Sequence, residues 1–131
     1  MNRILIVDDD EGLREIYKII LEKAGYEVYS CSDGRDILAN KAPAPDIYLL
    51  DKQLCGTDGL DICRFLKSQV STRHIPVIII SASIGMRQPI KNAGADAFIE
   101  KPFEIKQLLE TMPFISGIVK PYKAFTCRLC W

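Results

Sequence analysis

The sequence predicts a three-layer α/β fold: a five-stranded parallel sheet, doubly wound, with helices on both faces in a (βα)5 order. Three observations carry this reading. Short runs such as Arg3–Val7 (RILIV) and Val77–Ile80 (VIII) are continuously apolar, as strands buried on both faces are. Between such runs the apolar residues recur every three or four positions, the period of a helix. The alternation repeats five times, which implies a parallel sheet joined by right-handed crossovers.

Each element has its own signals. Arg3–Val7 is the first strand. From Glu11 to Ala24, the residues Leu13, Ile16, Tyr17, Ile20, Leu21 and Ala24 follow helical steps, and Gly25 ends that helix. Tyr26–Ser30 (YEVYS) is the second strand. Ser32-Asp33-Gly34 offers caps for a short helix through Asn40, which Ala42-Pro43-Ala44-Pro45 cannot continue. Ile47–Leu50 is the third strand and ends at Asp51. Cys55–Gly59 (CGTDG) reads as a loop with Asp58 as a cap, and Leu60, Cys63, Leu66 and Lys67 fit the helix after it. Pro76 opens the fourth strand, Val77–Ile80, which ends at Ser81. Gly85–Ala93 is a weak helix, because Pro89 lies inside it or at its first turn, and Gly94 closes it. Ala97–Ile99 is the fifth strand. After Lys101-Pro102, a last helix spans Phe103 to Met112 and is cut short by Pro113 and Gly117. Residues 1–112 therefore form one domain. Residues 113–131, which shift to Pro, Lys, aromatic and Cys residues without a clean period, form a C-terminal tail.

Composition narrows the function. The 131 residues are 48% hydrophobic and 26% charged with a formal net charge of +0, so no field of one sign points to direct nucleic-acid or acidic-membrane binding. No apolar run approaches the roughly 20 residues of a membrane span. An export signal is not evident, and the first strand starts almost at Met1. Five cysteines (Cys31, Cys55, Cys63, Cys127 and Cys130) are an odd count without framework spacing, so reduced thiols in a cytoplasm are expected. Cys127 and Cys130 form a CxxC, but two ligands without a second pair do not make a structural zinc site. His74, the single histidine, reads as a structural or surface residue.

In such a sheet, ligands bind beyond the carboxyl ends of the strands, near the switch in strand order. The residues there are Asp8 and Asp9 after the first strand, Asp51 after the third, Ser81 after the fourth, and Glu100-Lys101 after the fifth. Clustered carboxylates repel and lose hydration, so they call for a cation; oxygen ligands select a hard one, Mg²⁺ first, with Mn²⁺ or Ca²⁺ as alternatives. One carboxylate is then free to act as a nucleophile toward phosphorus, with Lys101 neutralising phosphoryl charge and Ser81 hydrogen-bonding an oxygen. Asp10 fits better as the cap of the first helix, and Asp46 and Asp58 as caps or turn residues. A flavin phosphate would be repelled by the acidic loop Asp8–Glu11, and no glycine triplet of a dinucleotide site follows the first strand.

These pieces resemble the receiver domains of bacterial two-component response regulators. The matching segments are ILIVDDD (4–10), DIYLLDKQLCGTDG (46–59), PVIIISAS (76–83) and AGADAFIEKPF (93–103), in the family's order. The resemblance implies a flavodoxin-like fold with strand order 2-1-3-4-5. It implies Asp51 as phosphoacceptor, with Asp9 and Asp51 binding Mg²⁺ directly, Asp8 acting mainly through water, and the main-chain carbonyl of Gln53 completing the shell. Ser81 becomes the switch hydroxyl, Lys101 the paired lysine, and Phe98 the switch aromatic, although Phe98 reads equally as core. Pro102 would follow a cis peptide bond. Phosphorylation would draw Ser81 inward and open space into which Phe98 turns.

The implied partners are a sensor histidine kinase or histidine phosphotransfer protein, and a downstream protein met through the face of the fourth helix, fifth strand and fifth helix. A monomer or a phosphorylation-dependent dimer is expected, a signalling switch rather than an enzyme. Two other readings stay open: a receiver-like scaffold that works without phosphorylation, and the receiver fragment of a longer regulator. The chain departs from the common pattern at Cys55, where many receivers have proline, at Phe98, which lacks the hydroxyl of the commoner tyrosine, and at Pro89 in the fourth helix.

Overall fold

The computed structural model describes residues 2–54, 56–83, 85–102 and 105–115. Five strands, β1 (Arg3–Val7), β2 (Glu27–Cys31), β3 (Ile47–Asp51), β4 (Val77–Ser81) and β5 (Ala97–Glu100), form one sheet in the order β2-β1-β3-β4-β5. All four pairings are parallel. The connecting helices are α1 (Glu11–Lys23), α2 (Arg35–Leu38), α3 (Gly59–Ser68), α4 (Arg87–Asn92) and α5 (Ile105–Ile115). The chain moves outward from β1 to β2, then returns past β1 to β3. That reversal brings the carboxyl ends of β1 and β3 side by side.

Two cores explain why the strands are continuously apolar. Side chains alternate across the sheet, so Leu5, Val7, Tyr48, Leu50, Val77 and Ile79 meet Ile37 of α2, Leu66 of α3 and Ile90 of α4 on one face. Ile4, Ile6, Ile47, Leu49, Ile78 and Ile80 meet Tyr17 and Leu21 of α1 and Leu108 of α5 on the other. Each fully buried Ile or Leu is worth about 1.5–3 kcal/mol over an exposed one. The sheet is thus rigid where it delivers its strand ends.

The helix ends show where expectation and structure part. At the end of α1, Gly25 takes φ +99°, its N–H donates to the Glu22 carbonyl (3.0 Å), and the Tyr26 N–H donates to Leu21 (3.1 Å). Tyr26 is therefore spent on closing the helix, and β2 starts one residue later than expected, at Glu27. The expected helix over 85–93 shrinks to six residues, Arg87–Asn92. Pro89 sits in its first turn, where amides have no intrahelical partner, and the ladder begins only with the Ile90 N–H on the Met86 carbonyl (2.9 Å). Helix α5 does not stop before Pro113 but runs on to Ile115. Pro113 lies in the final turn, so the donor it removes interrupts the ladder at its end rather than its middle. The expected loop after Asp51 contains an antiparallel ribbon, Gln53–Leu54 against Thr57–Asp58, turned through Gly56 at φ +80°. Cys55, Phe103, Gly117, Cys127 and Cys130 lie outside the described residues, whereas Cys31 and Cys63 are free thiols.

Asp96, just before β5, ties the opposite end of the sheet. Its Oδ2 accepts from the Val77 N–H and from Lys67 Nζ, both at 2.8 Å. Among the described residues, no helix is long and apolar enough to cross a membrane.

Candidate functional site

Asp8 follows β1 and keeps the sheet ladder going, its N–H donating to the Cys31 carbonyl (3.2 Å). Its side chain is almost fully buried, 1% exposed. Oδ1 accepts from the Asp10 N–H (2.9 Å), while Oδ2 is buried without any hydrogen-bond partner. Asp9 is exposed at the rim. Asp10 has the separate task expected of it: its Oδ1 accepts from the Leu13 N–H (3.1 Å) and caps α1.

Asp51 ends β3 and is buried, with both oxygens engaged. Oδ1 accepts from the Gln53 N–H (3.0 Å), and Oδ2 from Lys101 Nζ (2.9 Å). One carboxylate oxygen from each of Asp8, Asp9 and Asp51 lies within 4.8 Å of the others. Together with Lys52, Gln53, Asp58, Ser81 and Lys101, they line an open cleft of about 760 Å³.

The electrostatics follow from this crowding. Burial pushes the Asp8 carboxyl from 3.8 up to about 6; the Asp10 N–H opposes this, the Asp51 charge reinforces it, and Lys101 opposes it again. Burial, then the charges of Asp8, Asp51 and Asp10, push the Tyr17 phenol upward, so that it stays neutral beside the acids.

A buried carboxylate oxygen with no donor, in a cluster of three carboxylates, is the signature of a site completed by a cation. The donors are all oxygens, which suits a hard divalent ion such as Mg²⁺. The residues present therefore fit the ion, with Asp8, Asp9 and Asp51 converging and Gln53 on the same wall.

The remaining expected residues fall around this cluster. Ser81 is buried at the end of β4, and its Oγ accepts from the Ser83 N–H (3.1 Å). The Lys101 N–H donates to the Ser81 carbonyl (2.9 Å), linking the exits of β4 and β5. The peptide bond between Lys101 and Pro102 is cis, as expected. Phe98 is already inside the α3–α4 core at 4% exposure, with the Arg87 guanidinium 5.9 Å from its ring centre. In this structure the ring thus already stands in the inward position.

Two features of the site escaped sequence reasoning. A Cβ on Gly59 would stand 2.1 Å from the Asp51 carbonyl oxygen, so only glycine lets α3 begin against the end of β3. Lys52 pairs with Asp58 across the ribbon, Nζ to Oδ2 at 3.1 Å. A glycine at a helix start was the available signal for the first. The second depends on a ribbon that no apolar period announces.

Comparison with known proteins agrees with this geometry. Residues 4–113 match the family model described as the response regulator receiver domain. The chain is 36% identical over 115 residues to the DNA-binding dual master transcriptional regulator RpaA of Synechocystis, covering 83% of this chain but 46% of that protein. It thus spans less than half the length of that relative. It is 32% identical over 117 residues to the polar-differentiation response regulator DivK of Brucella anthropi, covering 87% of this chain and 95% of that one. Among solved structures, the receiver domain of the sensor histidine kinase PA1611 from Pseudomonas aeruginosa superposes with a TM-score of 0.79 at 26% identity, over 88% of this chain and 98% of that one. That structure carries a magnesium ion coordinated in its active-site cleft.

Proposed function

The chain belongs to the response regulator receiver family, and from that premise we propose that Asp51 accepts a phosphoryl group from a phosphohistidine on a partner protein. The observation that carries this is the setting of Asp51. It is a buried carboxylate at a strand end, aimed by one backbone N–H and one ammonium, beside two further acids that supply demand for a cation.

An Asp51 oxygen attacks phosphorus, the phosphorus–nitrogen bond to the donor imidazole breaks, and its electron pair returns to that nitrogen. The acyl phosphate is later lost when water attacks phosphorus and the carboxylate departs. Lys101 leaves its 2.9 Å pairing with the free carboxylate to neutralise phosphoryl oxygens, and the Ser81 hydroxyl donates to one of them. The Gln53 N–H keeps the carboxylate oriented. Asp9, Asp51 and the Gln53 carbonyl would hold Mg²⁺, with Asp8 acting mainly through water, and the ion would supply positive charge against the phosphoryl group and the acids.

The donor is a sensor histidine kinase or a histidine phosphotransfer protein, met in the cytoplasm, and the switching unit runs past the expected boundary at 112 to the end of α5 at Ile115. The readout is the face of α4, β5 and α5. With Phe98 already packed against Arg87, that readout runs through movement of Ser81 and α4 rather than through burial of the ring.

The test is intact mass after incubation with Mg²⁺ and acetyl phosphate. One added phosphoryl group is expected, and none in Asp51→Ala. No addition to the parent chain, with no binding of beryllofluoride either, favours the scaffold that works without phosphorylation. An addition that survives Asp51→Ala moves the acceptor elsewhere.

A further inference from the structure

We infer that Lys52 is a positioning residue for the acidic site, acting through its ion pair with Asp58; this rests on the assignment of Gln53 to the metal shell. The segment that presents Gln53 is a ribbon of two residues per strand, too short to hold its shape alone. Three ties fix it. The Gly59 N–H donates to the Lys52 carbonyl (2.7 Å), the missing Gly59 side chain permits contact with Asp51, and Lys52 Nζ meets Asp58 Oδ2 at 3.1 Å.

The third tie differs from an ordinary surface pair. The Lys52 side chain is only 14% exposed, although Asp58 is 41% exposed, and both partners line the cleft. Asp58 uses its other oxygen to accept from the Leu60 N–H (2.8 Å), capping α3. One carboxylate therefore joins the start of α3 to the residue that follows the acceptor, with Gln53 inside the closed loop. Pairing also cancels an ammonium that would otherwise repel a divalent cation in the same cleft.

Charge and positioning predict opposite signs, which makes the inference decidable. If Lys52 mattered only as a charge, Lys52→Met would remove a repulsion and tighten Mg²⁺ binding. If it positions the ribbon, Lys52→Met weakens binding, by about fivefold for a partner behind the ligand shell. Asp58→Asn keeps a capping residue on α3 but frees the ammonium, so it weakens binding at least as much. Lys52→Arg restores most of the affinity.

The experiment is calorimetric titration of the phosphate-free full chain with MgCl₂, for the parent, Lys52→Met, Lys52→Arg, Asp58→Asn and Asp9→Asn. Weaker binding in Lys52→Met with recovery in Lys52→Arg is the expected result. Should Lys52→Met not fold, Lys52→Ala takes its place: it also removes the ammonium, so weaker Mg²⁺ binding carries the same reading and equal or tighter binding overturns it. Equal or tighter binding in Lys52→Met, or unchanged binding in Asp58→Asn, overturns the positioning role. Parent and Asp9→Asn chains that take up Mg²⁺ equally, or not at all, overturn the metal-site assignment itself and the inference with it.

Discussion

Asp8→Asn should make the metal-free protein more stable. In the wild type, one Asp8 oxygen holds the Asp10 N–H and the other lies buried with no donor, beside the Asp51 carboxylate. The rise from 3.8 to about 6 in this 1%-exposed group corresponds to roughly 3 kcal/mol of folding free energy. The sign follows from where the proton sits. Below 3.8 both folded and unfolded chains hold it, and Asp8 penalises neither. As pH rises toward about 6, the unfolded chain ionises first, so the folded state loses stability, and the full cost is present above that value. Asparagine keeps an oxygen for the Asp10 N–H and turns an amide toward Asp51, a donor in place of a second negative charge. A gain of about 1–3 kcal/mol is expected in urea denaturation with EDTA near pH 7.5, shrinking near pH 4. Millimolar Mg²⁺ should stabilise the wild type and leave the variant nearly unmoved. A variant no more stable than the wild type in EDTA, or equally stabilised by Mg²⁺, refutes the account of Asp8 as an uncompensated buried charge.

Two further substitutions test the scaffold around the site. Gly59→Ala puts a methyl where the Asp51 carbonyl oxygen already stands, 2.1 Å from the new carbon, and should cost about 1–3 kcal/mol in denaturation while slowing phosphoryl uptake from acetyl phosphate. Asp96→Ala removes the acceptor shared by the Val77 N–H and Lys67 Nζ far from the cleft, so it should lower stability by about 1–2 kcal/mol and leave Mg²⁺ affinity unchanged by calorimetry.

The strand ends were legible because two rules intersect there. A run such as RILIV has to be buried on both faces, and a doubly wound sheet has to bring its carboxyl ends together. Asp8, Asp51, Ser81 and Lys101 could thus be placed in one cleft before any contact was known. What stayed hidden depends on single hydrogen bonds. The β2 boundary turned on whether Tyr26 would close α1 or open a strand, and both are compatible with its chemistry. Pro89 and Pro113 are the same residue type with the same missing donor, yet their effect depends on their distance from a helix end. The pair Lys52–Asp58 is spaced six residues apart, which in a helix puts the two on different faces and in a straight strand leaves them about 20 Å apart, so only the turn of the ribbon brings them together.

The bond between the Lys101 N–H and the Ser81 carbonyl has a mechanical consequence. It ties the exits of β4 and β5 together, and with them the two residues that, under the proposed function, would reach a phosphoryl group. A phosphoryl group that drew in either side chain would then pull on the backbone that carries the other. Under the proposed function, the face of α4, β5 and α5, whose middle strand β5 ends just before Lys101, would receive the shift of the two strand exits together.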